Sequence, residues 1–337
     1  RVVDGAVIVV GAVSGMAVGT EKAWDYCEKY GTPRMIFVNQ MDREHANYMK
    51  VIDQLKEKYG TAIVPFHIPI MESGQFKGYV NAIDMTAREF NGKEVKQIPI
   101  PDQMLDEVEP IRTMIVEAVA ETSEELMEKY FEGEEFTDEE IRTAIRKGVL
   151  DGEIVPVLCG SALNNAGIKE LMDEIINYLP SPADRPAAVG TDPKTEDTIE
   201  REPKSSEPFS AFVFKTVIDP FVGKLSIFKV MSGELTAGAS VYNSNKQTNE
   251  KTGSLYILKG KKQLQVDKIT TGDIGAFAKL QHTTTGDTLC DPNSPIVYEG
   301  IEFPEPSISL AVEAEKQGDE DKVFSGLSRL MEEDPTF

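Results

Sequence analysis

Reactive and metal-binding side chains are scarce in these 337 residues, which hold three cysteines, three histidines and one tryptophan. Cys27, Cys159 and Cys290 form no C-x-x-C pair and leave an odd count, so neither a disulfide framework nor a zinc site is indicated. A reducing cytoplasmic compartment is expected. His45, His67 and His282 fall in unrelated segments without ligand spacing, and no Ser/His/Asp or Cys/His set can be assembled. The longest apolar stretch, residues 6–13, is far too short to span a bilayer, and no charged-then-apolar leader opens the chain. No G-x-x-x-x-G-K-[ST] occurs, so these residues include no loop of that kind for cradling phosphates. Positive charge is also in deficit. The 35 Lys and Arg against 57 Asp and Glu give a net charge of -22, which argues against broad adhesion to nucleic acid or anionic lipid but leaves local basic contacts open. The chain opens on Arg1 rather than methionine and ends at Phe337 inside another pattern, as an internal fragment or trimmed product would.

What is present is a βαβα rhythm. Residues 6–10 (Ala-Val-Ile-Val-Val) read as a parallel strand buried on both faces. A Gly-rich turn and a helix over about 20–30 follow, then a strand over 35–38 and a helix over about 43–59 stopped by Gly60. The second strand empties into Asn39-Gln40-Met41-Asp42, at the mouth where an open α/β sheet binds its ligand. By itself Asn39-x-x-Asp42 is most simply an Asx turn and helix cap. A carboxylate there can also accept from both the ring N1–H and the 2-amino group of guanine, whereas adenine offers neither donor. A second loop, Ser161-Ala162-Leu163, closes the apolar run 154–158 and can present backbone N–H groups to the guanine carbonyl. Strand before, helix after and a second loop at the next strand end favour the guanine reading.

Between these loops the rhythm breaks. Residues 61–85 alternate short β-like runs with turns, and 102–153 are helical and acidic, with seventeen Asp and Glu against five Lys and Arg. That stretch reads first as a solvated helical face and second as a partner-docking surface. Thr137-x-x-Glu140 forms a capping box for a helix expected to stop at Gly148. Residues 183–207 carry few large apolar side chains and read as a linker or mobile loop. From Phe209 onward short strands split by Gly-containing turns suggest a small closed barrel. A further strand at 307–312 and an amphipathic helix over 319–332 would begin an α+β unit.

Several segments together resemble bacterial elongation factor G and its paralogues, the translational GTPases. Residues 1–6 and 31–43 are similar to the blocks around the family's third and fourth guanine-nucleotide motifs, and 159–167 and 178–182 to its fifth motif and the exit from the GTPase domain. Phe214-Lys215-Thr216, residues 219–223 and 286–290 resemble the second, barrel domain, and 303–306 and 330–336 the third. The resemblance implies a multi-domain α/β protein. Its parts would be the rear of a P-loop GTPase doubly wound sheet (1–60 and 151–185), an inserted α+β subdomain (61–150), a linker (186–206), a translation-factor β-barrel (207–300) and the start of a ferredoxin-like domain III (301–337).

On that resemblance Asn39 and Asp42 recognise guanine, Gln40 packs on its face where the family has a lysine, and Ser161, Ala162 and Leu163 close the far side. GTP or GDP with Mg2+ would be the parent's cofactor, and the ribosome, through rRNA and stalk proteins, its partner in protein biosynthesis. No membrane or DNA partner is expected. Lacking the phosphate loop, the switches and the upstream histidine, this chain alone is expected to bind nucleotide weakly or not at all and to catalyse nothing. The implied activity is translocation. A non-translocating paralogue (protection, recycling or release factor) and an acidic ribosomal-protein-binding module with a degenerate guanine site are the alternatives.

Overall fold

The structure, a computed structural model, describes residues 1–91, 94–219 and 221–337. Pro220, within the barrel segment quoted above, lies outside the described residues. Contacts divide the chain into two compact units, Val3–Pro180 and Ser181–Phe337.

The first unit runs β1 (Ala6–Gly11), α1 (Val18–Lys29), β2 (Arg34–Asn39), α2 (Tyr48–Tyr59), β3 (Ile63–Pro65), then four strands and three helices, and closes with β8 (Val155–Cys159) and α6 (Ile168–Tyr178). The intervening elements are β4 (His67–Glu72), β5 (Gln75–Asn81), β6 (Thr86–Asn91), β7 (Glu94–Ile98), α3 (Asp102–Ala120), α4 (Glu124–Phe131) and α5 (Asp138–Asp151). β1, β2, β8 and β3 form a parallel sheet in that order. Alternating side chains enter two cores. Ile36, Val38 and Val157 pack with Trp24, Ile52 and Leu55, while Met35, Phe37 and Leu158 pack with Ile68, Val108, Ile145 and Tyr178. Both faces of β2 are thus covered, which is why it is a continuous apolar run.

Three sequence expectations shift here. The helix after β2 starts at Tyr48 rather than 43, because Asn47 is its N-cap and accepts from the Lys50 amide at 3.0 Å, with His45 at φ 65 turning the chain just before. The segment assigned to the insertion from residue 61 first contributes β3 to the parallel sheet, and the antiparallel sheet β4-β5-β6-β7 begins only at His67. Three residues are too few to show a strand by periodicity. The α5 capping box forms as expected, with Thr137 and Glu140 exchanging bonds, but the helix runs through Gly148 to a left-handed Gly152 at φ 80. Gly148 is there for packing. A Cβ at that position would lie 2.6 Å from Ile154 Cδ1.

The second unit is mostly antiparallel. Its two longest strands, Ser210–Asp219 and Gly223–Ser232, pair from Ser210↔Ser232 to Asp219↔Gly223 at the centre of an eight-stranded sheet. Phe228 and Phe277 stack at 4.6 Å in its core with Val213, Val230 and Leu289. Among the described residues no ladder joins the outermost strands, Thr248–Lys251 and Lys262–Val266, directly, but the chain just beyond them is paired, Glu234–Thr236 with Lys268–Thr270 and Ala237 N–H to Asp267 O at 2.8 Å. The expected linker is not a linker. Ala188–Thr191 and Thr198–Arg201 form a hairpin that also pairs with Val297–Tyr298. Asp192 ties its turn by accepting from Lys194 and Thr195, and Ala188 and Ile199 pack against Phe212, Ile296 and Tyr298, so a few apolar contacts outweigh the polar composition. The strand expected at 307–312 is absent, with Ile308 and Leu310 exposed and unpaired, since a lone extended segment has no ladder to satisfy its backbone. The helix beyond it forms, over Glu320–Glu333.

Candidate functional site

β1, β2 and β8 end side by side, with Gly11 opposite Asn39 and Val38 opposite Cys159. The loops that leave these strands are knitted together by the backbone. Ala12 N–H donates to Asn39 O at 2.8 Å, Asn47 N–H to Ala12 O at 3.0 Å, and Met41 N–H to Gly160 O at 3.1 Å. One side chain adds the decisive link. Asn39 Oδ1 accepts from its neighbour Gln40 N–H at 2.8 Å and, across 123 residues of sequence, from Ala162 N–H at 2.9 Å.

Local geometry explains the residue types. Gln40 sits at φ 67, a left-handed conformation normally disfavoured outside glycine, and the Asn39 bond to its amide helps hold it there. The loop after β8 doubles back, with Ser161 and Ala166 exchanging two backbone bonds of 2.9 Å. Only glycine fits at its start, because a Cβ on Gly160 would lie 2.5 Å from Ala166 O and 2.6 Å from Phe37 Cζ.

Asn39, Gln40, Asp42, Ser161, Ala162 and Leu163 are therefore brought to one end of the parallel sheet. Asn39 and Asp42 are half-buried, Gln40 and Ala162 exposed, Ser161 buried, and Leu163 is 83% exposed. Their availability to a ligand differs. The Ser161 and Ala162 amides are already spent on Ala166 O and Asn39 Oδ1, and Ser161 Oγ accepts from the Asn164 amide at 3.3 Å. The Leu163 N–H has no acceptor among the described residues. Gln40 Oε1 reaches back over β1, 3.3 Å from where a Gly11 Cβ would stand. Sequence reasoning missed Gly11, Ala12 and Asn47 as parts of this constellation. The glycine directly after the first apolar run is the one signal that could have pointed to them.

The thiol and the phenol at this end of the sheet are both buried. Burial pushes the Cys159 thiol up, and it does the same to Tyr48, with Cys159 nearby adding a smaller effect. Among the described residues no group of three or more His, Cys, Asp or Glu side chains is placed to hold a metal, and no helix is long and apolar enough to cross a membrane. What this end of the sheet offers a ligand is therefore a half-buried carboxylate, an unspent amide and a flat carboxamide.

The chain is similar to known proteins along its length. Residues 1–181 match the elongation factor Tu GTP binding domain, 208–292 match elongation factor G domain 2, and 303–337 match elongation factor G domain III. A crystal structure from Thermus thermophilus is similar at a TM-score of 0.85 and 29% identity, over 99% of this chain and 48% of that one. The chain thus spans about half the length of that relative. A parallel sheet whose strand-end loops share one asparagine, followed by two stretches that each match an elongation factor G domain, places this chain in the elongation-factor-G-like branch of the translational GTPases.

Proposed function

We propose that residues 39–42 and 161–163 recognise guanine, and that the protein couples GTP binding and hydrolysis to translocation on the ribosome in the cytoplasm. The observation that supports this most is the Asn39 bridge, since one neutral carbonyl joins the two loops that must act on the same base. In this reading the Asp42 carboxylate accepts from guanine N1–H and the 2-amino group, and the unspent Leu163 N–H donates to O6. Ser161 and Ala162 shape the loop rather than touch the base. Gln40 lies along the ring face without the charge of a lysine. The residues present fit a guanine base. They hold no phosphate loop of the G-x-x-x-x-G-K-[ST] kind, so binding by these 337 residues is weak. When bound, Mg2+ and the nucleotide's phosphates supply the phosphoryl-transfer chemistry.

Ligand-observed NMR with GDP and ADP at equal concentration tests the base reading. GDP is expected to respond and ADP not, and the Asp42→Asn variant to turn preference toward xanthine, whose 2-oxo group accepts where guanine donates. An equal response to ADP sinks this assignment. Codon-by-codon movement of message on ribosomes, driven by the full-length protein and GTP, tests translocation. A second reading, a non-translocating paralogue, is favoured by one observation, the glutamine at position 40. GTP turnover on ribosomes without message movement would select it.

A further inference from the structure

Gly11 closes β1 opposite Asn39 in strand backbone, without the positive φ that calls for glycine at Gly15 in the same loop. What it supplies is room. A Cβ on Gly11 would stand 2.6 Å from Ser14 Oγ and 3.3 Å from Gln40 Oε1, so a hydroxyl and a carboxamide oxygen from two different loops share the small space over one bare Cα. Both residues are exposed, yet both side chains lie back over the strand end, and neither is bonded to a described residue. The hydroxyl can donate and the carboxamide oxygen can accept, so a turn about the serine Cα–Cβ bond joins them.

The two partners are held unequally. Ser14 rides on a fixed turn, because Gly15 N–H donates to Gly11 O at 2.8 Å and Met16 N–H donates to Gln54 Oε1 of α2 at 3.2 Å. Asn47, the cap of α2, secures the same turn by donating to Ala12 O. Gln40 is fixed through its backbone alone, its N–H on Asn39 Oδ1 and its O accepting from Arg43 N–H at 3.0 Å. A long side chain that a ligand must still costs affinity, and one stilled beforehand does not.

We propose that Gly11 and Ser14 are positioning residues for Gln40. The bare Cα seats the carboxamide, and the Ser14 hydroxyl donates to its Oε1, which fixes the amide plane against a bound base. This rests on the guanine reading given above and adds the loop after β1 to that site.

Ligand-observed NMR titrations of the chain with GDP and with ADP test it. Ser14→Ala and Gly11→Ala should each weaken GDP about fivefold, the contribution of one ordinary hydrogen bond, and Ser14→Thr, which keeps the hydroxyl, should restore it. Gly11→Ala meets only the movable ends of a serine and a glutamine, so thermal unfolding should stay in place. The deciding arm is Gln40→Ala. In that background no carboxamide remains to be seated, and neither Ser14→Ala nor Gly11→Ala should weaken GDP further. Equal losses with and without Gln40 would mean that the two residues only shape the turn, and would overturn the proposal, as would variants that bind GDP like the parent chain. A parent chain that answers GDP and ADP alike overturns the guanine reading itself and this inference with it, so the two failures are told apart.

Discussion

The two units hold their loops by opposite means. At the end of the parallel sheet a neutral amide does it, Asn39 Oδ1 taking two backbone N–H groups from two loops. In the antiparallel unit a carboxylate does it. Glu250, 4% exposed, accepts from the Gln281, His282 and Thr283 amides and from Thr283 Oγ1–H at 2.7 to 3.1 Å. Asp287 works beside it, accepting from Asn243 Nδ2–H and the Thr284 amide. A charged acceptor forms stronger bonds, but it must be kept ionised inside the protein. The neutral clamp is weaker and indifferent to pH. A loop that must hold its shape at any pH gains from the second property, and one that needs the tightest hold gains from the first.

The comparison can be broken most severely at Glu250. Glu250→Ala strands three backbone N–H groups and should cost the second unit about 3 to 5 kcal/mol, read as a lower urea midpoint for that unit's transition. Asn39→Ala is expected to cost the first unit about 2 kcal/mol and to speed hydrogen exchange at the Gln40 and Ala162 amides. Asn39→Asp, which keeps the acceptor, should leave exchange slow. Equal losses for the Glu250 and Asn39 truncations would remove the distinction between the clamps.

Acid separates them by sign. Burial pushes the Glu250 carboxyl up, but the bonds from residues 281–283 together outweigh it, so the group ends below its ordinary value. A depressed folded pKa contributes stability that is complete above the unfolded value and is lost as pH falls through the folded one. Protection of the 281–283 amides should therefore fall from about pH 5 downward, while that of Ala162 stays level, since Asn39 does not titrate. The smallest effect belongs to the α5 cap. Lys129 and the Thr137 amide and hydroxyl hold the Glu140 carboxyl at about 2, so this exposed cap loosens only as pH drops from the ordinary carboxylate range toward that value. Thr137→Ala should cost about 1 kcal/mol at neutral pH and less in acid.

Legibility along the chain followed local density of signal. β2 and β8 could be read because each is an apolar run buried on both faces. β1 could be read because it is an apolar run too, although as the sheet's edge strand it leaves Val9 57% exposed rather than being buried on both faces as expected. The two loops could be read because they leave β2 and β8. β3 could not, being three residues long, and neither could the 188–201 hairpin, whose polar composition hides an Asp-tied turn and two packed apolar residues. The buried His67–Glu174 pair was equally invisible, because nothing in either neighbourhood announces that a β4 histidine and an α6 glutamate share an interior.

For the candidate site, residue chemistry favoured a guanine reading over an adenine one and the family resemblance supplied the roles of the six positions, since a carboxylate's lone pairs and a loop's amides are properties of short segments. Only the tertiary fold decided how those groups are spent. It joined Asn39 to Ala162 across 123 residues, occupied two of three loop amides and left Leu163 N–H open. Hydrogen bonds between distant segments depend on register and strand order, and those are settled by the packing of the whole sheet rather than by any one stretch of it.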